Sequence, residues 1–284
     1  MLSERFLGQL ERLSLAVPGR VQGGAGGLRR AKDPGTSLEF SDFREYTLGD
    51  DLRRLDWTAY ARTQRLYVRE YMDEQETAVT LLLDASRSME WKKARAQDLA
   101  LTMGYLALVS GDRLQVMTAG EKVRMSPRFF GRRDLPRLLS FLQSTVMDGR
   151  APLSENLRGV GYMPKGLTVV VSDPYGDGEC DQCLGVLLSR GQQVMVCQVL
   201  AREEAQPELE GALALEDGES GSRVEQVMTG EVLDLYRKNL QVFLASSREA
   251  CIRRGARYLL DTGEAAWEST ILRRLFESRM IVSL

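Results

Sequence analysis

The run Leu81-Leu82-Leu83-Asp84-Ala85-Ser86-Arg87-Ser88 decides how this chain is read. The stretch from Thr77 to Leu83 is largely apolar, short and bounded, and a helical pattern follows it. It is expected to form a buried strand of a parallel sheet. The loop after such a strand opens at the sheet's carboxyl edge, where open α/β folds place their ligands. There Asp84, Ser86 and Ser88 could aim three oxygens at one hard cation such as Mg²⁺, which prefers oxygen ligands and keeps some water. The same residues also fit a plainer role, with Asp84 ending the strand and Ser86 or Ser88 capping the next helix.

Strand and helix patterns alternate on both sides of this run. Trp91–Val109 is expected to be helical, with Leu99, Met103 and Leu106 on one face, and Arg113–Ala119 and Lys122–Ser126 to form a hairpin around Gly120-Glu121. Asp134–Ser144, Cys180–Ser189, Glu231–Arg254 and Ser269–Ser278 carry helical patterns. Leu167–Val171, Gln193–Leu200 and Tyr258–Leu260 carry strand patterns, and Ala212–Met228 suggests an inserted hairpin turning between Gly218 and Gly221. Leu2, Phe6, Leu10 and Leu13 are spaced for a single amphipathic helix over Leu2–Leu15. Strands separated by helices imply right-handed crossovers, hence an α/β fold with a three-layer, doubly wound, mostly parallel, Rossmann-like sheet. The expected organisation is an N-terminal extension over 1–70 and an α/β domain over 71–284, with the hairpin insertion at about 205–230.

Composition narrows the chemistry. The chain has 284 residues, enough for one large α/β domain with an appended segment, and a net charge of −2 that gives no argument for nucleic acid or an anionic membrane as partner. It has no histidine, which excludes a Ser-His-Asp triad, a Cys-His pair and an H-E-x-x-H zinc site. No phosphate-loop motif is present, so ATP hydrolysis by this chain is not expected. The longest apolar helix-like stretch, Leu99–Val109, falls well short of the roughly 20 residues a bilayer span needs. Charged residues interrupt any signal-peptide core near the N-terminus, and a cytoplasmic location is expected.

Asp84 has a counterpart. Val169-Val170-Val171-Ser172-Asp173 is another apolar strand ending in a carboxylate, and in neighbouring parallel strands the two acids would share one edge. Upstream, Ser37 to Trp57 interleaves acids and arginines around aromatics, among them Arg44, Asp50, Arg53, Arg54, Asp56 and Trp57, with Arg62 shortly after. Such interleaving suits bidentate Arg–carboxylate pairing, with Phe40, Phe43 and Trp57 buried against the sheet, and makes these residues candidate partner contacts. Gly23-Gly24-Ala25-Gly26-Gly27 reads as a surface loop, with an anion-binding nest as the alternative. Cys180-Asp181-Gln182-Cys183 is a C-x-x-C at an expected helix start, where the dipole lowers a thiol pKa; redox or zinc chemistry is the lesser reading. Cys197 and Cys251 fall in core-like patterns.

The run E-F-S-D-F-R-E-Y-T-L-G-D-D-L-R-R-L-D-W, the following A-R, and then L-L-L-D-A-S-R-S-M resemble the family called domain of unknown function 58. The match spans about residues 35 to 175. Members of that family carry a von Willebrand factor A-like domain and are often encoded beside MoxR-type AAA+ ATPases. By this resemblance Asp84, Ser86, Ser88 and Asp173 are the metal ligands of an adhesion-type site holding Mg²⁺ or another divalent cation. The middle element of that site, a threonine in G-G-T-x-L, aligns with Gly149-Arg150-Ala151-Pro152-Leu153. Ala151 has no donor oxygen, and Ser154 and Thr145 are the nearby hydroxyls at other spacings.

Three functions are weighed. The first is a non-enzymatic protein-interaction module, an adaptor acting with a MoxR-type AAA+ ATPase and a client whose carboxylate completes the cation's shell. The second is a scaffold with a degenerate metal site that binds through the Arg/Asp/Trp segment. The third is a metal-dependent phosphohydrolase with Asp84 as nucleophile, disfavoured because Ser86 stands where a second acid is wanted and no phosphate-gripping lysine motif is visible.

Overall fold

The computed structural model describes residues 2–17, 39–47, 55–72, 77–174, 176, 178–207, 211–216, 222–263 and 266–284, with backbone alone at 39–44, 69–72 and 215–216. The glycine loop at 23–27 and the turn at 218–221 lie outside them. The chain divides into one unit of Met1–Arg20 with Thr77–Leu284 and a second of Val21–Glu76.

In chain order the described elements begin with α1 (Glu4–Leu10) and β1 (Leu13–Leu15), then β2 (Glu39–Glu45), α2 (Trp57–Thr63) and β3 (Tyr67–Met72) of the second unit. The large unit continues with β4 (Ala78–Asp84), a 3₁₀ turn (Arg87–Lys92), α3 (Lys93–Val109), β5 (Arg113–Ala119), β6 (Val123–Phe130), α4 (Leu135–Gln143) and α5 (Leu153–Gly159). Then follow β7 (Leu167–Ser172), α6 (Glu179–Ser189), β8 (Gln193–Val199), α7 (Arg202–Ala205), β9 (Gly211–Glu216) and β10 (Arg223–Met228). The last elements are α8 (Gly230–Arg253), β11 (Arg257–Asp261), α9 (Trp267–Glu277) and β12 (Ile281–Ser283).

The central sheet has six strands in the order β11-β8-β7-β4-β5-β6, parallel except for β6, which runs antiparallel to β5. Side chains alternate across each strand, so both faces must be covered. Leu81 and Leu83 of β4 join one core with Leu99, Met103 and Leu106 of α3, while Leu82 joins a second with Leu184 of α6 and Cys251 of α8. The expectation of a mostly parallel three-layer α/β architecture agrees with this sheet. From Leu99 to Leu108 every residue of α3 is buried, the signature of a helix covered all round. Gly104 lets α4 approach it: a Cβ there would stand 2.8 Å from Leu138 Cδ2.

The chain leaves β4 toward β5 on one side and returns to β7 on the other, so the strand order reverses between β4 and β7. That switch point is where open α/β sheets form a ligand crevice at the carboxyl ends. Asp84 ends β4 and Asp173 directly follows β7, the two strands that flank it.

The expected single N-terminal helix is instead α1 followed by β1, which pairs antiparallel with β12 through Leu13↔Ser283 and Leu15↔Ile281. Leu13 is buried by that distant pairing, and its helical spacing from Leu10 is incidental. The N-cap Ser3 also donates from its hydroxyl to Glu268 at 2.6 Å, which ties this segment to α9. In the second unit, β2 and β3 pair antiparallel. No helix among the described residues is long and apolar enough to cross a membrane.

Candidate functional site

Asp84 and Asp173 bring their loops together as the strand register requires. Leu83 is paired with Val171, so Asp84 lies beside Ser172, whose hydroxyl donates to Asp84 Oδ2 at 2.6 Å. Asp84 Oδ1 accepts the Ser86 backbone N–H at 2.9 Å, which turns the chain at once into the 3₁₀ segment. The Ser86 and Ser88 hydroxyls lie 3.0 Å apart, and Ser88 donates to Asp173 Oδ1 at 3.2 Å. The four sequence-derived ligands therefore form one connected cluster. Neither serine caps a helix: Ser86 occupies the N-cap position of the 3₁₀ turn without a side-chain capping bond.

A residue that sequence reasoning missed completes the cluster. Lys92 ends the 3₁₀ turn with its side chain fully buried, and its ammonium donates to Asp173 Oδ2 and, at 2.9 Å, to Glu204 Oε1 of α7. Glu204 in turn accepts the Ala201 N–H at 2.7 Å through Oε2. One ammonium thus joins the loops after β4, β7 and β8. The signal was present in the spacing: Met89, Lys92, Ala96 and Leu99 share one buried helical stripe, and a lysine on such a stripe needs a buried counter-charge.

Burial pushes the Asp173 carboxyl up to about 7, with Lys92 opposing the shift and Asp84 adding to it. Burial also raises Asp84, against the hydrogen bonds from Ser172 and Ser86. Both shifts follow from taking carboxylates out of water.

The segment aligned with the middle element does reach the site. Gly149 N–H donates to Ala85 O and Arg87 N–H donates to Gly149 O, each at 3.0 Å, so that loop is stitched to the one after β4. Glycine allows this close approach: a Cβ there would stand 3.1 Å from the Gly120 backbone and 3.2 Å from Ala85 O, so the neighbouring backbone would have to yield by a few tenths of an ångström. The two substitute hydroxyls are engaged elsewhere. Ser154 donates to Glu179 Oε2 at 2.8 Å, and Thr145 donates to Phe141 O at 3.3 Å. Among the described residues, no group of three or more His, Cys, Asp or Glu is placed to hold a metal ion.

The rim of the site is open. Arg87, Glu90 and Trp91 are exposed on the 3₁₀ turn, Trp91 to 88%. A groove of about 800 Å³ runs beside Lys92, lined by Trp91, Arg95, Leu200, Arg202 and Trp267 among others.

The upstream candidates behave differently. Asp50, Arg53 and Arg54 lie outside the described residues, and Arg44 is described by its backbone alone. Asp56 is buried and caps α2, accepting the N–H groups of Thr58 at 2.8 Å and Ala59 at 2.9 Å. Trp57, expected to be buried, is 63% exposed: the capped helix turns it outward, edge-on to Tyr60. Arg62 is exposed in the last turn of the same helix. Glu45 of this segment pairs at 3.4 Å with Arg65, an arginine beyond the stretch read for such pairing, and both side chains are exposed.

The C-x-x-C cysteines are buried free thiols, and Cys180 faces Cys251 across 3.8 Å, with Cys183 turned to Glu179. Burial, with the neighbouring Glu179 carboxylate, pushes the Cys183 thiol far above its ordinary range. The hydrogen bond with Cys251 lowers Cys180.

Residues 42–248 match the model of the family described as "Protein of unknown function DUF58". The chain belongs to that family. Curated relatives include uncharacterized protein Mb1516 of Mycobacterium bovis and uncharacterized protein Rv1480 of Mycobacterium tuberculosis, each 26% identical over 224 residues, covering 75% of this chain and 70% of the relative. Solved structures with some likeness include BatB from Bacteroides thetaiotaomicron (TM-score 0.38, 14% identity, 71% of this chain and 98% of that one). Another is an aerotolerance-related membrane protein from Bacteroides fragilis (TM-score 0.40, 17% identity, 71% and 99%).

Proposed function

We propose that this DUF58 chain is a non-enzymatic protein-interaction module of von Willebrand factor A-like type. It acts in the cytoplasm as an adaptor between a MoxR-type AAA+ ATPase and a client protein. The observation that carries the reading is the pairing of a rigid, internally bonded cluster at the sheet's switch point with an exposed tryptophan on its rim. Trp91 projects from the same 3₁₀ turn that the next residue, Lys92, anchors in the cluster. A large aromatic held on a rigid turn beside a groove is the kind of anchor that dominates protein interfaces. The ATPase partner rests on the family resemblance.

The cation in this reading meets a test in the donor set. Asp84, Asp173, Ser86 and Ser88 offer hard oxygens, the ligands Mg²⁺ prefers. Against that, Ala151 offers no oxygen, the hydroxyls of Ser154 and Thr145 are engaged elsewhere, and the Lys92 ammonium already sits on Asp173. The residues present do not fit a resident divalent ion, and the interaction is assigned to the rim rather than to a metal. The phosphohydrolase reading weakens for a related reason: the lysine near the acids is buried between Asp173 and Glu204 and does not face an incoming phosphate.

The test is a pull-down with the tagged full chain from native lysate in Mg²⁺, beside Trp91→Ala and Asp84→Asn. Recovery of a MoxR-type ATPase by the wild type and its loss with Trp91→Ala supports the sheet-edge contact. Exposure of Trp57 and Tyr60 favours a second reading, in which the scaffold binds through the Arg/Asp/Trp segment. In that case Trp57→Ala abolishes recovery and Trp91→Ala does not.

A further inference from the structure

We infer that the ammonium of Lys92 is the resident cation of this site, standing where an adhesion-type site would hold a divalent metal. The inference concerns the same sheet-edge cluster as the proposed function. It adds what fills the metal's place and what removing it would open.

The hydrogen-bond inventory argues for a closed cluster. Asp84 accepts from Ser86 N–H through Oδ1 and from the Ser172 hydroxyl through Oδ2. Asp173 accepts from the Ser88 hydroxyl through Oδ1 and from Lys92 through Oδ2. Glu204 accepts from Lys92 through Oε1 and from Ala201 N–H through Oε2. Every carboxylate oxygen of the three acids therefore has a donor, and the charge among them is supplied by one buried ammonium. Lysine is suited to the place because its ammonium is a compact point charge with three donors on a long stem. The stem enters from the buried stripe of α3 and the 3₁₀ turn, so the charge reaches the acids from within the protein.

A divalent ion bound to Asp173 would sit directly against this ammonium, and like charges at contact repel strongly where water is excluded. It would also have to displace the donors on Asp84. Removing the ammonium reverses the situation. Asp84 and Asp173 then face each other with the Ser86 and Ser88 hydroxyls, an all-oxygen set of the kind that binds Mg²⁺ or Mn²⁺.

The test titrates Mn²⁺ into the purified full chain, following free Mn²⁺ by electron paramagnetic resonance and thermal stability with and without added MgCl₂. The wild type is expected to show no saturable Mn²⁺ binding and no change in Tm with Mg²⁺ or chelator. Lys92→Ala is expected to bind Mn²⁺ saturably. Its Tm is expected to rise with Mg²⁺, and Asp173→Asn in the same background is expected to erase both effects. Lys92→Met, which keeps an unbranched stem of similar length without the charge, replaces alanine where that variant does not fold. Saturable wild-type binding that Asp84→Asn removes would overturn the inference. Failure of folded Lys92 variants to bind Mn²⁺ would overturn it equally. These readouts need no partner, so they separate this inference from the adaptor reading: loss of ATPase recovery with the metal results as expected would sink only the latter.

Discussion

Asp173 and Asp181 stand eight residues apart, each in an ion cluster, and their carboxyls are pushed in opposite directions. Asp173 is buried beside Lys92, Asp84 and Glu204, and burial outweighs the ammonium, so its carboxyl rises to about 7. Asp181 lies at the surface end of α6, where Arg254 grips it at 2.8 Å and 2.5 Å and Arg253 at 2.9 Å. Those hydrogen bonds hold its carboxyl well below the ordinary range. Partner charge alone therefore does not set the outcome; access to water does. The exposed cluster is an α6–α8 tie that solvent would largely replace. The buried one exists only because three loops enclose it.

The largest effect that would break or sharpen this contrast is removal of the buried ammonium. Lys92→Met leaves Asp173 and Glu204 without their cation and is expected to cost about 3–5 kcal/mol by chemical denaturation. A loss under about 1 kcal/mol would place Lys92 in the same class as a surface pair.

Next comes the pH dependence, where the two clusters have opposite signs. Asp173 keeps its proton in the folded state to about 7 against 3.8 for the ordinary carboxyl. Between those values the unfolded chain gives up a proton that the folded chain retains, so stability from this residue falls as pH rises from about 4 to about 7. Asp181 is lowered from 3.8, so its contribution is present above that value and is lost as pH falls below it. Tm measured across pH 4–8 is expected to have a component that declines with pH and disappears in Asp173→Asn; an unchanged slope in that variant would refute the assignment.

Smaller still, Asp181→Ala is expected to shift Tm by less than about 2 °C, and added salt should erase the difference, as for exposed ion pairs generally. Last, Trp57→Ala is expected to change stability by less than about 0.5 kcal/mol, since the ring is 63% exposed. A loss of several kcal/mol would mean that the ring is covered in solution.

How much of this was legible in the sequence depended on range. The strand ends at Asp84 and Asp173 were readable because an apolar run meeting an acid is a local pattern, and the register then brings the two loops together. β1 was not, because its three residues are defined by pairing with β12 at the far end of the chain. α5 escaped for a similar reason: its N-terminal amide at Ser154 is satisfied at 2.7 Å by Glu179 of α6, a capping partner no local motif records. Trp57 misled because aromatic identity was taken for burial, while the cap at Asp56 sets where the ring points. Lys92 was readable in principle, since charge on a buried helical stripe is the informative exception. Its partners, from two other loops, were not.

The stitch between Gly149 and the residues around Ser86 has a mechanical consequence. Its two hydrogen bonds extend a ladder beyond the sheet and couple the loop after β4 to the one before α5, so a force applied at either loop is shared by both. The Gly149 and Arg87 amides belong to one opening event, and their hydrogen-exchange rates should rise and fall together when a partner engages the rim.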